Sequence, residues 1–209
     1  MTLDDINGLI CIDLWEKMPN DENLTPQQLI WADQLSQNLS QYSWHSIINA
    51  SYHTKIDYSD PSIYNTLLCY NWSKYDADVM SELVEQCNNY VMSQHMIDRV
   101  FGPSTFALYS INSFIKHYTT LVPHVKSWLV VGQSWNCCVH GRSIGLINLC
   151  KVAEQLGICI YGTPSGFFHL DNNSQCDDAD LINDSLITWT HIDNDIFQAT
   201  VRTKERLSQ

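Results

Sequence analysis

Two residues far apart in the chain could act on one substrate together: Asp13, at the end of an apolar run, and Cys138, at the start of a helical pattern. A carboxylate can take a thiol proton, and the thiolate can then attack a carbonyl or imine carbon. Cys138 lies in Trp128-Leu129-Val130-Val131-Gly132-Gln133-Ser134-Trp135-Asn136-Cys137-Cys138-Val139. There an apolar run ends in Gly132, a polar turn follows, and a cysteine pair opens a helix expected to run from Val139 toward Gln155. That order puts a thiol at the carboxyl end of a buried strand and the amino end of a helix. Open α/β sheets bind ligands along that edge. The free N–H groups of a helix start favour a thiolate there and can stabilise an oxyanion.

The elements that must position these residues are legible as alternating strands and helices. Gly8-Leu9-Ile10-Cys11-Ile12-Asp13-Leu14-Trp15 suits a strand buried on both faces, as in a parallel sheet. Thr25 and Pro26 read as the N-cap and first position of a helix, with Leu29, Ile30, Ala32, Leu35 and Leu39 on its apolar stripe. Residues 46–52 read as a second strand, which closes a βαβ unit. Residues 54–71 read as loop, 76–91 as a helix and 91–99 as a third strand. A helix capped by Asn112 or Ser113 carries Phe114, Ile115, Tyr118 and Leu121 and stops at Pro123. Residues 125–131 form a fourth strand, 157–162 a fifth, and 186–191 a last strand at an edge. The pattern predicts one α/β domain over residues 1–209, a three-layer, Rossmann-like sandwich with a mostly parallel sheet.

Composition narrows the partners. A hydrophobic content of 44% with seven Trp and ten Tyr predicts a packed globule, and the aromatic abundance is compatible with a homo-oligomer. The net charge of -12, the pI of about 4.8 and only eleven Lys plus Arg argue against nucleic acid and anionic membrane surfaces as partners. A small-molecule substrate or ligand is the expected partner. Eight cysteines without a leader-like N-terminus or a membrane-spanning apolar run predict a reduced, intracellular, cytoplasmic protein. Cys11, Cys69, Cys87, Cys150 and Cys159 sit in apolar or helical patterns and read as core residues. No CxxC, HExxH or zinc-spaced Cys/His cluster is present, so neither a metal nor a cofactor is expected. The carboxylates of residues 171–178 lack the EF-hand pattern and read as a solvated loop. Gly132, Gly141 and Gly145 fit neither dinucleotide nor P-loop spacing.

With these residues in place, the chain resembles the isochorismatase-like cysteine hydrolases, which include nicotinamidases and N-carbamoyl amidohydrolases. Ile10-Cys11-Ile12-Asp13 matches the family's opening strand and Asp, with Trp15 where Gln is usual. Val130-Val131-Gly132 followed by Cys138-Val139 matches the second signature, with the nucleophile six positions after the glycine. That register selects Cys138 over Cys137, whose side chain is then expected in the core or toward the neighbouring strand. The resemblance implies Cys138 as nucleophile, Asp13 as general base and a cis peptide at Gln133–Ser134 shaping the oxyanion hole. It implies a substrate pocket around Trp15, Gln133, Ser134, Trp135 and Cys137.

The family's third catalytic member is a Lys ahead of a segment like Ser104-Thr105-Phe106. No Lys stands there; Arg99 is the nearest cation, and Lys116 is a second candidate. His140-Gly141-Arg142-Ser143 replaces the small residues usual after the cysteine. His140 and Arg142 face either an anionic substrate or solvent, with solvent the favoured reading. Some members hold a metal through an Asp-x-His-like cluster after the second strand, where this chain has the lone His53. The implied activity is hydrolysis of a small amide or related C–N bond. The alternative is a catalytically silent relative that binds a small ligand or a partner protein in the same cleft.

Overall fold

Every residue of Gly8–Ile12 (β1) is buried, as an apolar run between two packed faces requires. Its alternate side chains enter different cores, Ile10 and Ile12 one, Leu9 and Cys11 the other. The computed structural model that contains this strand describes residues 2–14, 25–50, 105–108 and 110–202. On one side of β1 lie Ser46–Asn49 (β2) and then Thr105–Ala107 (β3). On the other lie Ser127–Gln133 (β4) and Cys159–Gly162 (β5), and all five strands are parallel. Phe167–His169 (β6) and Ser174–Gln175 (β7) form a hairpin hung on the end of β4 by the pairs Gly132–Phe167 and Gln133–Phe168. Ile187–Asp193 (β8) and Ile196–Val201 (β9) are antiparallel, and the long path runs β3-β2-β1-β4-β5-β9-β8.

Helices cover both faces. Pro26–Leu39 (α1) starts at the Thr25–Pro26 signal, where Thr25 Oγ1 accepts from the Gln28 N–H and the Gln28 side chain accepts from the Thr25 N–H. Its residues Trp31, Ala32, Leu35 and Leu39 fill the core shared with Leu9 and Cys11. Leu29 and Ile30, expected on the inner stripe, are exposed; Trp31 is turned inward and its indole donates to the Ser165 carbonyl at 2.9 Å. Ile111–Leu121 (α2) is capped by Ser110, whose side chain accepts from the Ser113 N–H. Leu146–Leu156 (α3) ends on Gly157, which takes the left-handed conformation (φ 62°) that glycine enters at little cost. Phe114 and Tyr118 of α2 and Leu149, Cys150 and Ala153 of α3 fill the core shared with Ile10 and Ile12. The architecture is thus mixed α/β, with helices on both faces of a mostly parallel sheet.

Several expectations change. The predicted strand 125–131 begins at Ser127 and reaches Gln133. Residues 171–178, read as a solvated loop, contain β7, the start of Asp178–Ile182 (α4) and the buried Cys176. The single helix expected from Val139 toward Gln155 is two pieces. A π-turn spans Trp135–Val139, and α3 starts only at Leu146. Gly145 makes the break between them, because a Cβ there would collide with the backbone of His140 and Arg142. The predicted segments 54–71, 76–91 and 91–99 lie outside the described residues. Among the described residues no helix is long and apolar enough to cross a membrane.

Candidate active site

The sheet brings Asp13 and the cysteine turn to the same edge. Ile12 pairs with Gly132, so Asp13 and Gln133 each stand one residue beyond that pair, at the carboxyl ends of neighbouring parallel strands. The strands approach so closely that a Cβ on residue 132 would strike the Ile12 carbonyl oxygen and press on Val139. Only glycine fits there. Both chains leave the sheet through the left-handed region, Asp13 at φ 54° and Ser134 at φ 60°. Residues other than glycine enter that region at a cost of about 1 kcal/mol. Ser134 then leads into the π-turn that contains Cys137 and Cys138.

Asp13 is fully buried, and its charge is met by Arg142. The guanidinium donates to Asp13 Oδ2 from Nη2 at 2.7 Å and from Nε at 3.0 Å. The other carboxylate oxygen, Oδ1, is buried and receives no hydrogen bond. Arg142 was expected in solvent; it is only 15% exposed and, among the described residues, supplies the cation that meets Asp13. Its signal in the sequence is its place four residues after Cys138, one helical turn along the same face.

Cys138 is half-buried and interacts with the Asp13 carboxylate. Burial pushes the thiol pKa up, and the neighbouring carboxylate adds to the rise. Arg142 and a hydrogen bond with Ser134 act the other way without offsetting it. The resting sulfur is therefore a protonated thiol rather than the thiolate that a helix start alone would favour.

Gln133 is fully buried, with neither amide oxygen nor amide nitrogen hydrogen-bonded. Trp135 is buried in an aromatic cluster with His140, Phe167 and Trp189, at ring separations of 4.4, 4.5 and 6.0 Å. Cys137 is exposed, not turned into the core, because the π-turn rotates it outward from Cys138. The Gln133–Ser134 peptide is trans, and among the described residues no peptide bond is cis. The N–H groups of Cys137 and Val139 both donate to the Ser134 carbonyl, at 3.0 and 3.2 Å, so neither is free for an oxyanion in this conformation. Trp15 and Arg99 lie outside the described residues.

His140, also expected in solvent, is buried and anchors the turn from beneath. It bridges the Trp135 carbonyl at 2.5 Å and Asp184 Oδ2 at 2.8 Å. Asp184 also accepts from Trp189 Nε1 at 3.0 Å and from the Leu186 N–H at 2.8 Å. Next to this network, His169, Cys176 and Asp180 each bring a metal-ligating atom to one place.

Comparison of the chain with protein-family models, with curated proteins and with solved structures finds no match.

Proposed function

We propose that the chain is a cysteine hydrolase of isochorismatase-like type, acting on a small amide or related C–N bond. The observation that carries this reading is the state of Asp13. Its Oδ2 is clamped by Arg142, while its bare Oδ1 belongs to a carboxylate in direct interaction with the Cys138 thiol. Such a carboxylate is oriented by its cation and keeps one oxygen on which a proton could be accepted, as a general base requires.

In the proposed reaction the Cys138 sulfur bonds to the amide carbon as its proton passes to Asp13 Oδ1. The tetrahedral intermediate collapses to a thioester, and the leaving amine takes that proton. Water, deprotonated by the same carboxylate, then hydrolyses the thioester and returns the thiol. Arg142 acts as a positioning residue, taking the place of the family's Lys beside the carboxylate.

The test is ammonia release from a panel of primary amides and N-carbamoyl compounds by the full chain. Turnover that is lost in Cys138→Ala supports the reading. Turnover that persists undiminished in Cys138→Ala contradicts it.

One observation favours the silent-relative reading: the Cys137 and Val139 amides are both spent on Ser134. A chain of that kind binds members of the same panel, seen as a thermal shift, and releases no ammonia from any of them.

A further inference from the structure

The hairpin beside the cysteine turn holds a second group of reactive atoms that the hydrolase reading does not use. His169 is 6% exposed, and its Nε2 is buried without a hydrogen bond. Asp180 Oδ1 lies 3.1 Å from that nitrogen but off the hydrogen-bonding direction. A buried polar atom left this way is destabilising, and a bound cation would satisfy it.

Strand register explains why a sulfur joins the imidazole. Phe168 pairs with Gln175 and His169 with Ser174, and the Cys176 N–H donates to the Phe167 carbonyl at 3.0 Å. Cys176 therefore stands opposite Phe167, on the ribbon face that His169 shares. The cap of α4 fixes the third donor. Asp180 Oδ2 accepts the Asp177 N–H at 2.9 Å while Asp177 Oδ1 accepts the Asp180 N–H at 3.1 Å, which leaves Asp180 Oδ1 turned toward the imidazole. One ligand atom from each of His169, Cys176 and Asp180 lies within 4.8 Å of the other two.

We propose that His169, Cys176 and Asp180 bind a divalent transition-metal ion of the zinc class. Imidazole, thiolate and carboxylate are the ligands such an ion takes, whereas magnesium and calcium select oxygen. Zinc bonds of about 2.0–2.3 Å would draw the three atoms closer together than the 4.8 Å that bounds them now. Binding converts the Cys176 thiol to a thiolate and releases its proton to solvent. The carboxylate is held by its backbone bond to Asp177.

Three protein ligands leave a fourth position. His169 and Asp180 line a cavity of about 560 Å³ together with Trp135, Asn136 and His140, from which a fourth ligand could come. The site thereby joins the hairpin to the turn that carries Cys138. Metal binding by these three residues does not depend on amide hydrolysis at Cys138.

The test is titration of the chelator-treated full chain with cobalt(II), followed by displacement with zinc. A thiolate-to-cobalt absorption band that saturates at one equivalent is expected. It should persist in Cys137→Ser, disappear in Cys176→Ser, and be bleached by zinc. Asp180→Asn, at a partly exposed position, should fold normally by circular dichroism and bind zinc at least about tenfold more weakly. Absence of the band at one equivalent, or a band that survives in Cys176→Ser, overturns the proposal.

Discussion

Arg142 holds Asp13 by one carboxylate oxygen, with Nη2 at 2.7 Å and Nε at 3.0 Å, and leaves the other oxygen bare. The pair joins the end of β1 to the segment between the π-turn and α3, so it is structural as well as chemical. Removing the cation strands a buried charge, which typically costs about 3–5 kcal/mol. Arg142→Ala is therefore expected to lower unfolding stability by that amount in urea titrations. Arg142→Lys should recover only part, since one ammonium cannot reproduce the guanidinium fork.

Asp184 sets a second, pH-dependent expectation. Burial alone would raise its pKa, but hydrogen bonds from His140, the Leu186 N–H and Trp189, with the charge of His140, hold it below the ordinary 3.8. The unfolded chain then binds the proton more readily than the folded one. The stabilisation is present above pH 3.8 and is lost as pH falls through the folded value. Asp184→Asn should flatten this acid limb in denaturation series across pH, and should cost about 2 kcal/mol at neutral pH.

His117 acts at higher pH with the same sign. Its ring is buried against Phe106, with Nε2 3.1 Å from Ser46 Oγ, and burial lowers its pKa below the ordinary 6.5. Protonation favours the unfolded chain, so stability should decline as pH drops below 6.5. His117→Gln should remove that decline, which thermal melts between pH 5.5 and 7.5 (about one unit either side of an ordinary histidine) would resolve.

Gly132 permits the close approach of β1 and β4. Gly132→Ala pushes a methyl group into the Ile12 carbonyl and Val139. The expected cost is about 1–3 kcal/mol in stability, with a larger proportional loss of any Cys138-dependent activity because the turn is displaced.

Much of the parallel sheet was legible because its strands are continuous apolar runs bounded by Gly or a polar turn, as around Gly8 and Gly132. The shared sheet edge of Asp13 and the cysteine turn was legible for the same reason, since Asp13 ends one such run and the turn follows the Gly132 that ends the other. Arg142 and His140 were not, because a polar side chain after a cysteine looks the same in sequence whether it meets solvent or a buried carboxylate. The β6–β7 hairpin was hidden by its brevity and by the polar residues 171–178, whose Asn173 takes a left-handed turn (φ 55°). Strand β9 was missed because the turn at Asn194 follows the predicted last strand with no glycine to mark it.

The most direct measurement is the alkylation rate of Cys138 by limiting iodoacetamide across pH, mapped by peptide mass spectrometry, in the native sequence and in Asp13→Asn. A base-assisted thiol beside a carboxylate predicts a Cys138 midpoint above the ordinary 9.0, with exposed Cys137 reacting sooner. Asp13→Asn should lower that midpoint, because the repelling charge is gone and Arg142 remains. The same variant should lose amide turnover. A native midpoint at or below 9.0, or one that Asp13→Asn leaves unmoved, would contradict the pairing of Asp13 with Cys138.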